Sequence, residues 1–261
     1  MIFDVVLPIA FFIFIAIVVF LYTKLEKKIK KLFGGETKLG KRDVLLLILA
    51  MGIMTTVVAF IPNLALQIFY VSVFSYTLFS FAYLSMRKWY VAIVPPILFV
   101  ASYLFFWNTL TFNIFAFALA SITIMYLGTL FSWKTTLIFA GLLTVLDFIQ
   151  VFITGFMGQL AEKAVFQLKL PVVIMLPTYP AGGSIILGLG DIFLTGLLAL
   201  QSLSRDGLRA GIITAGAISV ALFIFEIVEF NTRYFTYFPA TIVVLLGWLL
   251  GMGIIRLTRK M

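Results

Sequence analysis

The chain has 261 residues, of which 63% are hydrophobic and only 11% charged, with a net charge of +9 and neither cysteine nor histidine. Its mean hydropathy is +1.19, and a soluble domain of this length has too little interior to hide so much apolar surface. The missing residues remove zinc sites built on Cys or His, Ser-His and Cys-His dyads, and haem or iron–sulfur ligation. They leave carboxylates as the obvious catalytic tools, with no metal and no cofactor expected.

A membrane-spanning helix needs about 20 apolar residues. Nine such runs occur, at 2–22, 44–61, 64–86, 89–107, 110–133, 135–158, 181–202, 208–230 and 237–257. The expected fold is therefore an all-α membrane protein with nine transmembrane helices in a single domain, 1–261. Helices one to five fill 1–133, and helices six to nine fill 134–261. The first run begins with Asp4 instead of a basic stretch and is too long for a signal-peptide core, so it reads as a span. No internal repeat is visible, which weakens an inverted-repeat transporter reading.

Sixteen of the 19 Lys and Arg fall on odd-numbered joins and the C-terminal end; only Lys163, Lys169 and Arg233 fall on the other side. The positive-inside rule then predicts an outside N-terminus and a cytoplasmic C-terminus in a multi-pass cell-membrane protein. The basic residues sit at the ends of apolar runs, as membrane anchors do, so a nucleic-acid partner is not expected. Membrane lipid is the expected surrounding; the oligomeric state stays open, and no obligate protein partner is implied.

Of ten acidic residues, six are expected to be solvated or interfacial: Asp4, Glu26, Glu36, Asp43, Glu162 and Asp206. Glu226, Glu229 and Arg233 follow one another at single-turn spacing and suggest an interfacial ion-pair cluster. Asp147, in "GLLTVLDFIQVF", and Asp191, in "LGLGDIF", have no interface within reach. If both runs are continuous helices, Asp147 is about 20 Å in from Lys134 and Asp191 about 16 Å in from Pro180. A charge at such depth costs roughly 2.5–3.5 kcal/mol on insertion scales, which makes an intramembrane acid a functional-site hypothesis. Two carboxylates at close range share one proton, so one can act as general base on a water while the other donates to a carbonyl. Gly188 and Gly190 remove side chains beside Asp191 and would admit another backbone. Gly247-x-x-x-Gly251 reads as a helix contact. A third candidate element is "LPVVIMLPTYP". Its Val172, Val173 and Ile174 lie between Pro171 and Pro177, a composition that favours an extended strand able to pair with an unwound substrate; a plain connector is the alternative.

These motifs resemble the GxGD intramembrane aspartyl proteases, the presenilin and signal peptide peptidase family. Gly188, Leu189, Gly190 and Asp191 match its GxGD signature, and Asp147 takes the place of the aspartate in its Tyr-Asp motif, with Leu146 for Tyr. Pro239, Ala240 and Thr241 stand where the family has Pro-Ala-Leu, with Thr for Leu. The order and spacing of all three motifs match, and the stretch around them looks more like signal peptide peptidase than presenilin. The resemblance implies a presenilin/signal peptide peptidase-like fold and an aspartic endopeptidase with Asp147 and Asp191 catalytic. Pro239, Ala240 and Thr241 would position the substrate, a transmembrane segment or signal-peptide remnant. The compact chain suggests a microbial, even archaeal, member. The rival readings are a proton-coupled transporter or channel using the same acids, a prepilin-type peptidase, whose GxGD aspartates lie near helix ends, and a structural pairing of the two acids.

Overall fold

The structure is a computed structural model and describes residues 2–32, 38–58, 60–155, 162–232 and 238–258. In chain order the helices are α1 (Val6–Leu32), α2 (Lys41–Val58), α3 (Asn63–Met86), α4 (Trp89–Ala92), α5 (Val94–Phe105), α6 (Thr109–Leu130), α7 (Trp133–Phe148), α8 (Leu189–Asp206), α9 (Leu208–Thr232) and α10 (Ala240–Thr258). Among the described residues six helical stretches are long and apolar enough to cross a membrane: α1, α3, α6, α7 with its extension to Ile153, α9 and α10. Several apolar helices of this length define an all-α, multi-pass membrane protein.

Three of the nine expected spans fall short of that criterion, each for a visible reason. The fourth is interrupted at Ile93, just before Val94-Pro95-Pro96. A proline ring removes an amide donor and crowds the carbonyl four residues earlier, so α4 stops and α5 restarts with proline in its first turn. Helix α2 carries Lys41, Arg42 and Asp43 within its 18 residues. Helix α8 carries Asp191, Arg205 and Asp206.

Helix α8 can be this polar because it does not face lipid. Every residue from Ile192 to Ser202 is buried, including Thr195, Gln201 and Ser202. Helices α1, α6, α7, α9 and α10 pack around it. The outer helices show the opposite pattern, with Leu46, Leu64, Ile97 and Leu104 more than half exposed. Such an apolar exterior suits hydrocarbon. The expected glycine contact is present between α9 and α10. A Cβ on Gly247 would lie 2.7 Å from the Ile218 Cα, and one on Gly251 3.1 Å from the Ala217 Cβ. The two backbones could not approach this closely with side chains at those positions.

The seventh expected span departs most from the sequence reading. Residues 181–188 are not helical. Strand β1 (Val173–Pro177) pairs antiparallel with β2 (Ser184–Gly188), from Val173 opposite Gly188 to Pro177 opposite Ser184. Helix α8 starts only at Leu189. The two prolines and the β-branched residues make β1 extended, as expected, and the turn at 178–183 carries Gly182 and Gly183 at positive φ (76° and 98°), where only glycine is comfortable.

Asp4 is a further correction. It was expected to be solvated or interfacial, yet it is fully buried. Its carboxylate accepts hydrogen bonds from Val6 N (3.1 Å) and Leu7 N (3.0 Å), which caps α1, and from Tyr179 N (2.7 Å) in the hairpin turn. Three backbone donors compensate the desolvated charge.

Candidate functional site

Asp147 lies in the last turn of α7, 8% exposed. Immediately beyond it the helix loosens into a π-helical segment, Ile149–Ile153, in which Thr154 N bonds to Ile149 O at 3.0 Å. Breaks of this kind recur at functional positions because they re-aim side chains. Leu146, where the family motif has tyrosine, turns toward α2: its Cδ1 would be 3.1 Å from a Cβ on Gly52. One turn further, Gln150 Nε2 donates to Thr55 Oγ1 on the same helix.

Asp191 sits in the first turn of α8. The expected helical depth of 16 Å therefore does not apply, since only two helical residues, about 3 Å of rise, precede it. Asp147 keeps its expected place, because α7 is helical from Trp133 up to it. The packing of α7, α8 and α10 brings the two acids together, close enough that the charge on Asp147 acts on Asp191. Thr241, the second residue of α10, completes the group. Its backbone N–H is directed at Asp191. Its fully buried hydroxyl faces Asp147 but makes no hydrogen bond of ordinary geometry. The first amides of a helix have no intrahelical partner and carry partial positive charge. The N-terminal ends of α8 and α10 thus both favour negative charge at this point. Pro239 and Ala240 set the start of α10, with Ile242 N bonding to Pro239 O at 3.1 Å.

Among the described residues, the glycines of the signature do not serve a contact with another element. A Cβ on Gly190 would meet nothing within 4 Å, and one on Gly188 would touch Asp191 Oδ2 at 3.4 Å. What they leave is open space beside the carboxylate. Leu189 closes the hairpin, its N–H donating to Val172 O at 3.1 Å.

The hairpin register decides which strand edge is available. Leu189 N bonds to Val172 O and Thr178 N to Gly183 O. Alternation along the ladder then turns the amides and carbonyls of Val173 and Met175, and the carbonyl of Pro177, away from β2. That outer edge of β1 lies against α6, and Asn113 holds it: Asn113 Nδ2 donates to Met175 O (2.6 Å), and Met175 N donates to Asn113 Oδ1 (2.9 Å). Val173 and Ile174 are buried. Within the expected pairing segment Val172 to Leu176, the Met175 position of that edge is thus already taken by Asn113. The exposed edge belongs to β2, where the outward backbone groups of Ile186 have no hydrogen bond among the described residues. Ile186 is 42% exposed and five residues from Asp191.

Asn113 and the Thr241 amide escaped the sequence reading. Asn113 did leave a signal, a lone amide in the apolar run "LTFNIFAFALA". The expected Glu226–Glu229–Arg233 cluster cannot be described in full, because Arg233 lies outside the described residues. Glu226 itself is buried, neither of its oxygens has a hydrogen-bond partner among the described residues, and the charge of Asp4 is nearby. Among the described residues no group of three or more acidic side chains is positioned to hold a metal ion. The chain matches no protein-family model, and no curated protein is significantly similar to it.

Proposed function

We propose that this protein is an intramembrane aspartyl protease of the GxGD type, nearer to signal peptide peptidase than to presenilin, acting through Asp147 and Asp191. The observation that carries the reading is the meeting of two acids from adjacent helices with the α10 N-terminus. They lie beside open space at Gly190 and downstream of an unpaired strand edge. In this reading the nine helical units span the bilayer, with the N-terminus outside and the C-terminus cytoplasmic.

A peptide bond inside a helix is shielded, so the substrate segment unwinds and pairs with the edge of β2 at Ile186. Its new backbone partners replace those lost from the helix. The ionised aspartate takes a proton from water as the water oxygen bonds to the scissile carbonyl carbon. The protonated aspartate gives its proton to the carbonyl oxygen, which yields a gem-diol. That proton arrangement then reverses: one hydroxyl returns its proton to the dyad, the amide nitrogen accepts one, and the C–N bond breaks to release acid and amine. The Thr241 amide and the two helix N-termini hold the negative charge of the resting pair. The natural substrates in this orientation are transmembrane segments or signal-peptide remnants with a cytoplasmic N-terminus.

A proton-coupled transporter or channel would use the same acids, and the buried Glu226 adds a third to any relay. The two readings part in one assay. Purified protein is incubated with a tagged transmembrane peptide, with and without an aspartyl transition-state analogue. Inhibitor-sensitive peptide fragments support the protease. An intact peptide, together with proton flux in proteoliposomes, supports the transporter.

A further inference from the structure

A second site lies at the opposite end of α8 from Asp191. There the end of α1, the turn between α6 and α7 and the last turn of α8 enclose a cavity of about 340 Å³. This is within the range of small-ligand sites. Its lining is polar: Tyr22, Glu26, Lys30, Lys38, Gln201 and Ser204 contribute, along with the Ser132 cap of α7.

Among the described residues the cavity is lined by Lys30 and Lys38 against Glu26, a balance that favours an anion. Glu26 is matched by Lys30, with Nζ 2.6 Å from Oε1. The exposed carbonyls at the end of α6, a locally negative feature, are already occupied. Lys38 Nζ donates to Thr129 O (2.5 Å) and Phe131 O (3.1 Å), and Gln201 Nε2 donates to Gly128 O (3.1 Å) and Phe131 O (3.2 Å). An ammonium has three donors, so Lys38 keeps one in reserve, and Lys30 keeps two. The hydroxyls of Tyr22 and Ser204 make no hydrogen bond among the described residues. Burial, then the like charge of Lys30, lowers the Lys38 pKa from its usual value, with Glu26 opposing. A bound anion would relieve both effects.

The surroundings identify the source of the anion. Arg205 lies over the Trp133 ring, 4.6 Å from its centroid, a pair suited to the headgroup layer. Ser132 and Ser204, the chain neighbours of that pair, line the cavity, which sets it at the depth of lipid phosphates.

We propose that this cavity binds the phosphate of an anionic membrane lipid, with the spare donors of Lys38 and Lys30 and the hydroxyls of Tyr22 and Ser204 as its ligands. The site does not depend on the protease reading. It braces three elements that are far apart in sequence, at the end of α8 remote from Asp191.

The test uses the full chain in neutral detergent. Dioctanoyl phosphatidylglycerol, dioctanoyl phosphatidylcholine and inorganic phosphate are titrated separately, with melting temperature and native mass spectrometry as readouts. The expected result is a saturable rise in melting temperature and a one-to-one adduct with phosphatidylglycerol, at least tenfold weaker with each of the other two. Ser204→Phe fills the mouth of the cavity and leaves the bonds of Lys38 to α6 intact. It should weaken phosphatidylglycerol binding at least tenfold while the ligand-free protein melts as before. Lys38→Met should weaken it similarly, with some loss of basal stability. Equal responses to phosphatidylglycerol and phosphatidylcholine would overturn the proposal, as would unchanged binding in Ser204→Phe. Inorganic phosphate binding as tightly as the lipid would overturn the lipid source.

Discussion

Replacing Asn113 by leucine keeps the branched shape of the side chain and removes both hydrogen bonds that fasten Met175 to α6. Two backbone groups would lose their partner where no other described residue can supply one. An unsatisfied buried group costs roughly 1–3 kcal/mol. Met175 is only partly buried, so the lower end applies, about 1 kcal/mol for each group and about 2 kcal/mol in all. At about 1.4 kcal/mol per factor of ten, the undocked hairpin becomes roughly thirtyfold more populated. Amide exchange in the reconstituted protein reads this directly, since the amides of Met175 and Thr178 should exchange about thirtyfold faster. Amides in the middle of α9 should not change. Asn113→Asp keeps an acceptor for Met175 N and loses the donor to Met175 O, so it should fall between the two. In a peptide-cleavage assay a loosened hairpin should also spread the cut over neighbouring bonds, because strand register would set which bond reaches Asp147 and Asp191. Unchanged exchange in Asn113→Leu would refute the clamp. Faster exchange with an unchanged cut position would refute its link to register.

Asp147→Asn and Asp191→Asn should each lower peptide cleavage by at least about a hundredfold with the melting temperature retained, because an amide cannot cycle a proton; substantial activity in either would rule out the acid pair. Gly190→Leu has room in the unliganded chain, so it should melt normally and yet cleave poorly. Gly247→Leu meets backbone at 2.7 Å and should lower the melting temperature, with overpacking of this kind costing about 1–3 kcal/mol or more; the reverse pattern would show that the two glycines have exchanged roles. Cysteine placed at Tyr179, 70% exposed in the hairpin turn, should react with an impermeant thiol reagent in intact cells, and one at exposed Arg209 should not. Lys163 is a poorer probe site because its ammonium donates to Val58 O and Ile61 O. Labelling at Arg209 alone would invert the proposed orientation.

The helices were legible because long apolar runs with charged ends have few alternatives in a membrane. The glycine contact at Gly247 could also be read from local chemistry, whereas the break before Pro95-Pro96 was passed over in a run read as one span. The acid pair was readable as two costly charges on neighbouring runs. The start of α8 was not. Residues 181–188 are apolar enough to pass for helix, and hydropathy does not separate a strand from a helix in so short a run. Only pairing with β1, fixed by Asn113 on a distant helix, settles it. Asp4 was misread for a related reason, because nearness to an apparent helix end says nothing about what folds over that end.

The enclosure of α8 bears on how the chain enters the bilayer in the first place. A translocon sorts each segment by its own affinity for hydrocarbon, and α8, with three charged residues and a buried amide, offers little. Its stability in the membrane comes from neighbours that shield it, and two of them, α9 and α10, are synthesised after it. In the proposed nine-span arrangement, α8 would therefore become a membrane element only once those later helices arrive. Insertion and tertiary assembly are then a single event for the segment that carries Asp191.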